Sequence, residues 1–393
     1  MENNTTAQAN KASADNLPHV ILEDILSRLP ALSILTCRRV CKTWCKVTKD
    51  QSFVNLQLKR SSDQPPSYVL HSKFLCELFF VGTEDTKARE LCKNTLRIFR
   101  FMRIMSSCNG LLCIAPDILD GYPTVVSNPI TEEHIVLPEA DDGRYGFANQ
   151  VGLGFDPITN KYKVASIFNV LENGNKKRCL CEIITLGENS WRKIDLPFEV
   201  LPLRMQGAAF WEGALHWICS GKEEETTCGL RKEVCILRLD ITREEFCLIS
   251  TRFSFFPGED EEERSCMFQL LDLAGLLTLV VDVSGCISLS QFKRSETNGI
   301  CEERFLSIGT YMRAEEPAKA WQYHLFGAVG PDKLLLRVCE NRKGSLAPHK
   351  IVLYFPQEDR FSNLEISGIP LEFMATSFRP SFVSIQATSS ADK

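Results

Sequence analysis

The sequence predicts an α+β multidomain protein: a small N-terminal three-helix module followed by an all-β, propeller-like domain of about six blades. Apolar residues between Leu17 and Phe53 recur at the three- and four-residue steps of an amphipathic helix. From about Ser67 onward the pattern changes to short apolar runs separated by turn residues, as in strands. A third observation is a repeat of some 57 residues through the second part. The expected boundaries are a disordered tail at 1–14, the helical module at 15–60, a linker at 61–67, the β domain at 68–386 and a second disordered tail at 387–393.

The chain has 393 residues, enough for two or three domains. Its net charge of −5 gives no reason to expect nucleic-acid binding. No apolar run approaches the roughly 18 residues a membrane span needs, and the polar Met1–Asn16 stretch reads as no secretory signal. Seventeen cysteines, an odd number, then read as reduced thiols packed like small hydrophobes, not as a disulfide framework. Cys37, Cys41 and Cys45 fall at i, i+4, i+8, the spacing of one helical face. With no histidine near them, packing is the expectation and metal binding is not.

In the helical module, Leu17, Val20, Ile21, Ile25, Leu26 and Leu29 form one apolar stripe. Asp15 or Asn16 is expected to cap this helix, with Pro18 inside its first turn. Pro30 ends it, because the residue before a proline is driven out of helical dihedrals. Leu32, Ile34 and Leu35 form a second short piece, and Val40, Trp44, Val47 and Phe53 a third helix with its exit. Ile25, Leu35 and Val40 are expected to share duty between the internal core and a partner. A module of this size buries its own apolar surface poorly, which points to a covering partner.

These residues resemble the F-box motif. Leu17-Pro18, Ile25-Leu26, Leu29-Pro30, Leu32, Leu35, Val40-Cys41-Lys42, Trp44 and Phe53 match it in order and spacing. Two positions depart from it: Arg38-Arg39 is more basic than usual, and Cys45 stands where a larger polar residue is common. The resemblance implies docking on a Skp-type adaptor that bridges to a cullin. The implied docking residues are Leu17, Pro18, Ile25, Leu26, Leu29, Pro30, Leu32, Leu35, Val40, Cys41 and Trp44.

In the β region, an aromatic or histidine followed three residues later by an aliphatic recurs as His134/Leu137, Trp191/Ile194, Phe246/Ile249, Phe305/Ile308 and Phe361/Leu364. The steps are 57, 55, 59 and 56 residues. Upstream of each anchor another strand begins, near Leu111, Tyr162, Leu215, Leu277 and Leu334. Five such units, with an opening one near Phe74–Val81, predict six blades, closed by a final strand near Phe378–Ile385. Asn128-Pro129-Ile130-Thr131 and Asp156-Pro157-Ile158-Thr159 read as tight turns.

This region resembles the F-box-associated domain of plant F-box proteins, related to kelch repeats. The matching pieces include Ser107-Cys108-Asn109-Gly110-Leu111-Leu112-Cys113, Gly152-Leu153-Gly154-Phe155-Asp156, Trp191-Arg192 and Gly213-Ala214-Leu215-His216-Trp217. No Gly-Gly pair of the kelch kind occurs.

The residues suggest no chemistry of their own. Gly152-x-Gly154 is followed by a strand pattern where a phosphate loop needs a helix. His216, between Leu215 and Trp217, reads as structural, and no nucleophile or metalloprotease motif is present. The runs Glu223–Glu225 and Glu259–Glu263 are expected on loops, either solvated or forming an acidic rim for a basic partner. The expectation is therefore a non-catalytic substrate receptor of a Skp–cullin–F-box ubiquitin ligase, without cofactor or metal, working in the nucleus or cytoplasm on an unidentified target protein. The alternatives are a non-degradative scaffold using the same adaptor and, against the residues, a propeller enzyme.

Overall fold

The structure is a computed structural model, and it describes residues 17–72, 77–82, 85–91, 102–116, 123–139, 150–172, 176–203, 207–226, 229–255, 266–283, 286–294, 300–309, 321–330, 332–340 and 348–385. The expected tails at 1–14 and 387–393, the capping residues Asp15 and Asn16, Phe74 and the acidic run Glu259–Glu263 lie outside these residues.

The chain opens with helices α1 (His19–Ser27), α2 (Ala31–Cys37), α3 (Lys42–Val47) and α4 (Gln51–Ser62). Pro18 and Pro30 are the cap residues of α1 and α2, not members of the first turn. Each is held extended, with ψ of 139° and 143°, so its carbonyl points along the new helix. The Pro18 carbonyl accepts from the amides of Ile21 and Leu22 at 3.0 and 3.1 Å, and Pro30 does the same for Ser33 and Ile34 at 2.9 and 3.1 Å. Proline has no N–H to leave unpaired and a fixed φ, so both Leu-Pro pairs serve as helix starters. The expected exit at Phe53 is instead a fourth helix, α4. Its Arg60 clamps α1 through the Asp24 carbonyl and carboxylate and the Ser27 hydroxyl.

Six sheets follow, five of four strands and one of five. Blade 1 contains β1 (Ser67–Ser72), β2 (Glu77–Val81) and β3 (Arg89–Leu91). Blade 2 is β4 (Met102–Cys108), β5 (Leu111–Pro116), β6 (Val125–Asn128) and β7 (Glu133–Val136). Blade 3 is β8 (Gln150–Asp156), β9 (Lys161–Glu172), β10 (Lys176–Thr185) and β11 (Arg192–Ile194). Blade 4 joins β12 (Leu201–Pro202) and β13 (Ala209–Trp211) to β14 (Ala214–Thr226), β15 (Gly229–Asp240) and β16 (Phe246–Phe255). Blade 5 is β17 (Cys266–Leu273), β18 (Leu276–Val283), β19 (Cys286–Arg294) and β20 (Ile300–Gly309). Blade 6 is β21 (Trp321–Ala328), β22 (Leu334–Glu340), β23 (Lys350–Phe355) and β24 (Arg360–Leu364).

The last strand, β25 (Met374–Phe378), pairs antiparallel with β1 from Ser67↔Phe378 to His71↔Met374 and completes blade 1. The closing strand therefore ends at Phe378, where the sequence reading placed its start. The 57-residue anchors mark the outermost strand of blades 2 to 6, at or beside the starts of β7, β11, β16 and β24 and in the middle of β20, and the second landmark marks the second strand. The glutamates Glu223–Glu225 lie within β14, paired with Leu230–Lys232, not on a loop.

Side chains stitch neighbouring blades. The indole of Trp191 donates to the Pro138 carbonyl at 2.8 Å, that of Trp217 to Gln150 at 3.2 Å and that of Trp211 to Gly275 at 2.8 Å. Across the closure seam, the Tyr68 hydroxyl donates to the Ala328 carbonyl at 2.9 Å. Between blades 3 and 4 the buried Lys163 ammonium lies 3.1 Å from Asp156 and 3.0 Å from Glu244, and donates to the Ile241 carbonyl at 2.9 Å. Burial works against the Asp156 carboxylate. Hydrogen bonds from Thr159, Thr242, Lys163 and the Ile158 amide outweigh it and hold the carboxyl down at about 2.

Lys163→Met removes the cation from between two carboxylates in this seam and is expected to cost about 3 kcal/mol of unfolding free energy, read from the urea midpoint. Because Asp156 is depressed when folded, its contribution is present above about pH 4 and is lost as pH falls toward 2. Asn at position 156 should remove that part of the acid sensitivity, and an unaltered acid profile would refute the assignment.

Candidate adaptor-docking surface

Helix α1 has two apolar faces. Leu22 and Leu26, four residues apart, point inward and join Ala31, Ile34, Val47, Phe53 and Val54 in a buried cluster. On the other side Leu17, Val20, Ile21 and Ile25 stand in solvent, Val20 at 73% exposure and Ile25 at 46%. Val40, in the turn between α2 and α3, is 61% exposed. The expected shared duty of Ile25 and Val40 is thus resolved toward the surface, while Leu35 stays half-buried against the core.

Of the residues expected to dock a partner, Leu17, Pro18, Ile25, Pro30 and Val40 are exposed. Leu29, Leu32, Leu35, Cys41 and Trp44 are half-buried. Leu26 is 1% exposed and belongs to the core, so any effect of it on docking is indirect. Val20 and Ile21 were read as part of one stripe with Leu26, but the structure places them on the outer face. The signal that separates them is the helical angle: Leu22 and Leu26 fall within about 40° of each other, Val20 and Ile21 fall more than about 90° from both, and Ile25 lies on the flank between.

Elsewhere the features open to a catalytic reading turn out to be packing. Gly152 and Gly154 lie in β8, not in a loop before a helix. A methyl at Gly152 would come within 2.5 Å of Ala208, so the glycine lets blade 4 approach closely. In the two Pro-Ile-Thr turns, Asn128 and Asp156 accept from the amides of Ile130 and Ile158 at 2.9 and 3.0 Å, the expected Asx turns. Cys37 ends α2, Cys41 caps α3 and Cys45 lies within α3, so the three do not share one helical face as the spacing suggested. Cys113, Cys179 and Cys235 are free and buried, and burial pushes each thiol up to about 12.

His216 is fully buried, its ring 5.7 Å from that of Trp211. Burial, and after it Arg238, pushes its pKa down to about 3. Burial does the same to His324, to about 3, and to His349, to about 4, with Arg337 second in both.

The structure is thus a closed β-propeller carrying a small helical module with exposed apolar side chains. Residues 15–56 match the F-box domain, and residues 71–281 match the F-box associated beta propeller domain. The chain belongs to the family of plant F-box proteins with an F-box-associated propeller. An F-box protein of Arabidopsis thaliana is 26% identical over 405 residues, covering 91% of this chain and 89% of that one. Another Arabidopsis thaliana chain named as an F-box protein is 28% identical over 253 residues, and the match spans 61% of this chain and 60% of the relative. Among solved structures, a protein of unknown function from Dyadobacter fermentans covers 81% of this chain and 87% of its own, at 12% identity and a TM-score of 0.38, too low to bear on function.

The three histidines are held neutral, with folded values below the ordinary 6.5 or so. Their stabilising effect is therefore complete above that pH and is lost as pH falls toward 4 and then 3, while the unfolded chain takes up protons first. Each is expected to contribute a slope of about 1.4 kcal/mol per pH unit in that window. Phe at position 216 should flatten the stability–pH curve by one such increment; an identical curve would mean that His216 titrates normally in the folded protein.

Proposed function

We propose that this protein is a substrate receptor of a Skp–cullin–F-box ubiquitin ligase. The observation that carries the reading is the outer face of α1. It presents Val20, Ile21 and Ile25 to solvent, and Leu17 just before the helix and Val40 in the turn after α2 are exposed as well, although the same module has a well-filled core behind it. Residues already spared by the core are available to a partner, and a contiguous apolar face on so small a module is a docking surface. A Skp-type adaptor, bridging to a cullin, is the partner that F-box family membership supports.

In this reading the receptor works by proximity. It holds a target protein on the propeller while the adaptor holds the ligase, which raises the effective concentration of charged ubiquitin near target lysines. The receptor supplies no catalytic residue. The target is then degraded, and the complex operates in the nucleus or cytoplasm. A propeller suits this task because its loops vary freely over a rigid scaffold.

The double variant V20D/I25D puts two carboxylates on the exposed face and leaves Leu22 and Leu26 untouched. Its unfolding midpoint is expected to stay close to wild type, because both positions are solvent-facing. Its affinity for the adaptor should fall at least tenfold, since burying either side chain is worth about 1.5–3 kcal/mol. Undiminished co-purification with adaptor and cullin would sink the docking claim. Loss of adaptor binding with no protein accumulating in cells would favour a scaffold over a degradative receptor.

A further inference from the structure

We propose that residues 379–385, which follow the closing strand β25, are a positioning clasp that fixes the F-box module at one orientation on the propeller. The proposal rests on the receptor reading above, because orientation matters only if one end of the molecule holds a ligase and the other a target.

The segment makes contacts on both sides. Arg379 donates through one guanidinium nitrogen to the carbonyls of Ser61, Ser62 and Gln64 at 2.9, 2.9 and 2.7 Å. These carbonyls belong to the end of α4 and its exit, where a helix leaves acceptors unpaired and its dipole favours a cation. The stretch expected to be a linker, 61–67, is thus tied down by a residue more than three hundred positions away. The buried amide of Gln57 donates to the Pro380 carbonyl at 3.2 Å. Phe382, buried, packs its ring 6.4 Å from that of Phe53 on α4 and lies under the Arg38 guanidinium at 4.1 Å. Arg38 is itself held by Thr48, through the carbonyl at 2.7 Å and the hydroxyl at 3.2 Å. The basic residue that departs from the F-box pattern therefore has a task within this chain, a cation–π contact to the clasp.

Other groups of the segment reach blade 2. The Ser381 hydroxyl donates to the Asn109 carbonyl at 2.5 Å. The buried Asn128 amide donates to the carbonyls of Ser381 at 3.2 Å and Val383 at 2.7 Å. Glu133 accepts from the Ser384 hydroxyl at 2.9 Å and the Ile385 amide at 2.7 Å. Gly110 makes room: a methyl there would come within 2.8 Å of the Ser381 backbone nitrogen, and its φ of +80° is one that other residues rarely adopt. Asn128 and Gly110 thus serve the clasp as well as their own turns. Arg379 and Phe382 reach the helices while the side chains of Ser381 and Ser384 reach blade 2, which makes the segment a shared strip between two bodies.

Arg379 and Phe382 are the positioning residues. The test uses the full chain in complex with its adaptor and compares wild type with R379A and with R379A/F382A. Three quantities are read: adaptor affinity, amide hydrogen exchange, and the radius of gyration by small-angle scattering. The expected result is unchanged affinity and unchanged exchange in blades 3 to 6. Amides of 61–64 and 381–385 should exchange at least tenfold faster, and the radius of gyration should increase. Unaltered scattering and exchange in R379A/F382A would overturn the proposal. So would a loss of adaptor affinity in step with faster exchange throughout α1–α4, because the segment would then be part of the F-box fold itself. If the double variant does not fold, R379A alone decides through exchange at 61–64. Failure of the wild-type chain to bind the adaptor would instead refute the receptor reading, so the two failures are distinguishable.

Discussion

Everything in this molecule depends on the pairing of β25 with β1. A ring of blades holds together only if its first and last portions are joined, and here the join is made by strands separated by some three hundred residues of chain. That register, Ser67 opposite Phe378, has two effects at once. It completes the inner strand of blade 1, and it delivers the chain to the point where the helices leave off. The clasp begins at the next residue, Arg379, and the start of β1 lies three residues beyond Gln64, whose carbonyl Arg379 holds. Closure of the propeller and seating of the F-box are consecutive events along one short stretch of backbone.

The packing between blades follows from the same need for close approach. Inner strands such as β5 and β18 bury residues on both faces, since each sheet lies between two others. Polar atoms are admitted to these seams where partners satisfy them. Three tryptophan N–H groups cross from one blade to a carbonyl of the next. Lys163 carries a charge into a seam only because two carboxylates and a carbonyl meet it there. The buried cysteines fill the role of small apolar residues, their thiols made inert by burial.

Much of this was legible in the sequence because it is periodic. The 57-residue spacing of His134, Trp191, Phe246, Phe305 and Phe361 reports the outer strand of each blade, and a repeat states its period whatever the details of its contacts. Helix ends were harder. Pro18 and Pro30 cap the helices they precede, and a proline at the cap and one in the first turn look alike in a sequence. Which apolar residues of the module would be exposed was not legible individually: Leu26 and Ile25 are adjacent in the chain, yet one is buried and the other exposed, and that distinction needs the helix's exact phase. The role of Arg38 was not legible at all. It showed only as a departure from a pattern, since its partner, Phe382, is a long-range contact with no local signal.

The order in which a ribosome makes this chain gives the closing strand a further consequence. The F-box helices, with their apolar outer face, emerge some three hundred residues before the strand that completes blade 1 and the clasp that seats them. At about 5–20 residues per second, the helices wait roughly 15 to 60 s for their counterpart. Throughout that interval β1 has an open edge and the docking face has nothing fixing its direction. A chain interrupted before Phe378 would keep the part that resembles a handle and lose the part that aims it, so premature termination near the end of the sequence should be more harmful than the number of missing residues suggests.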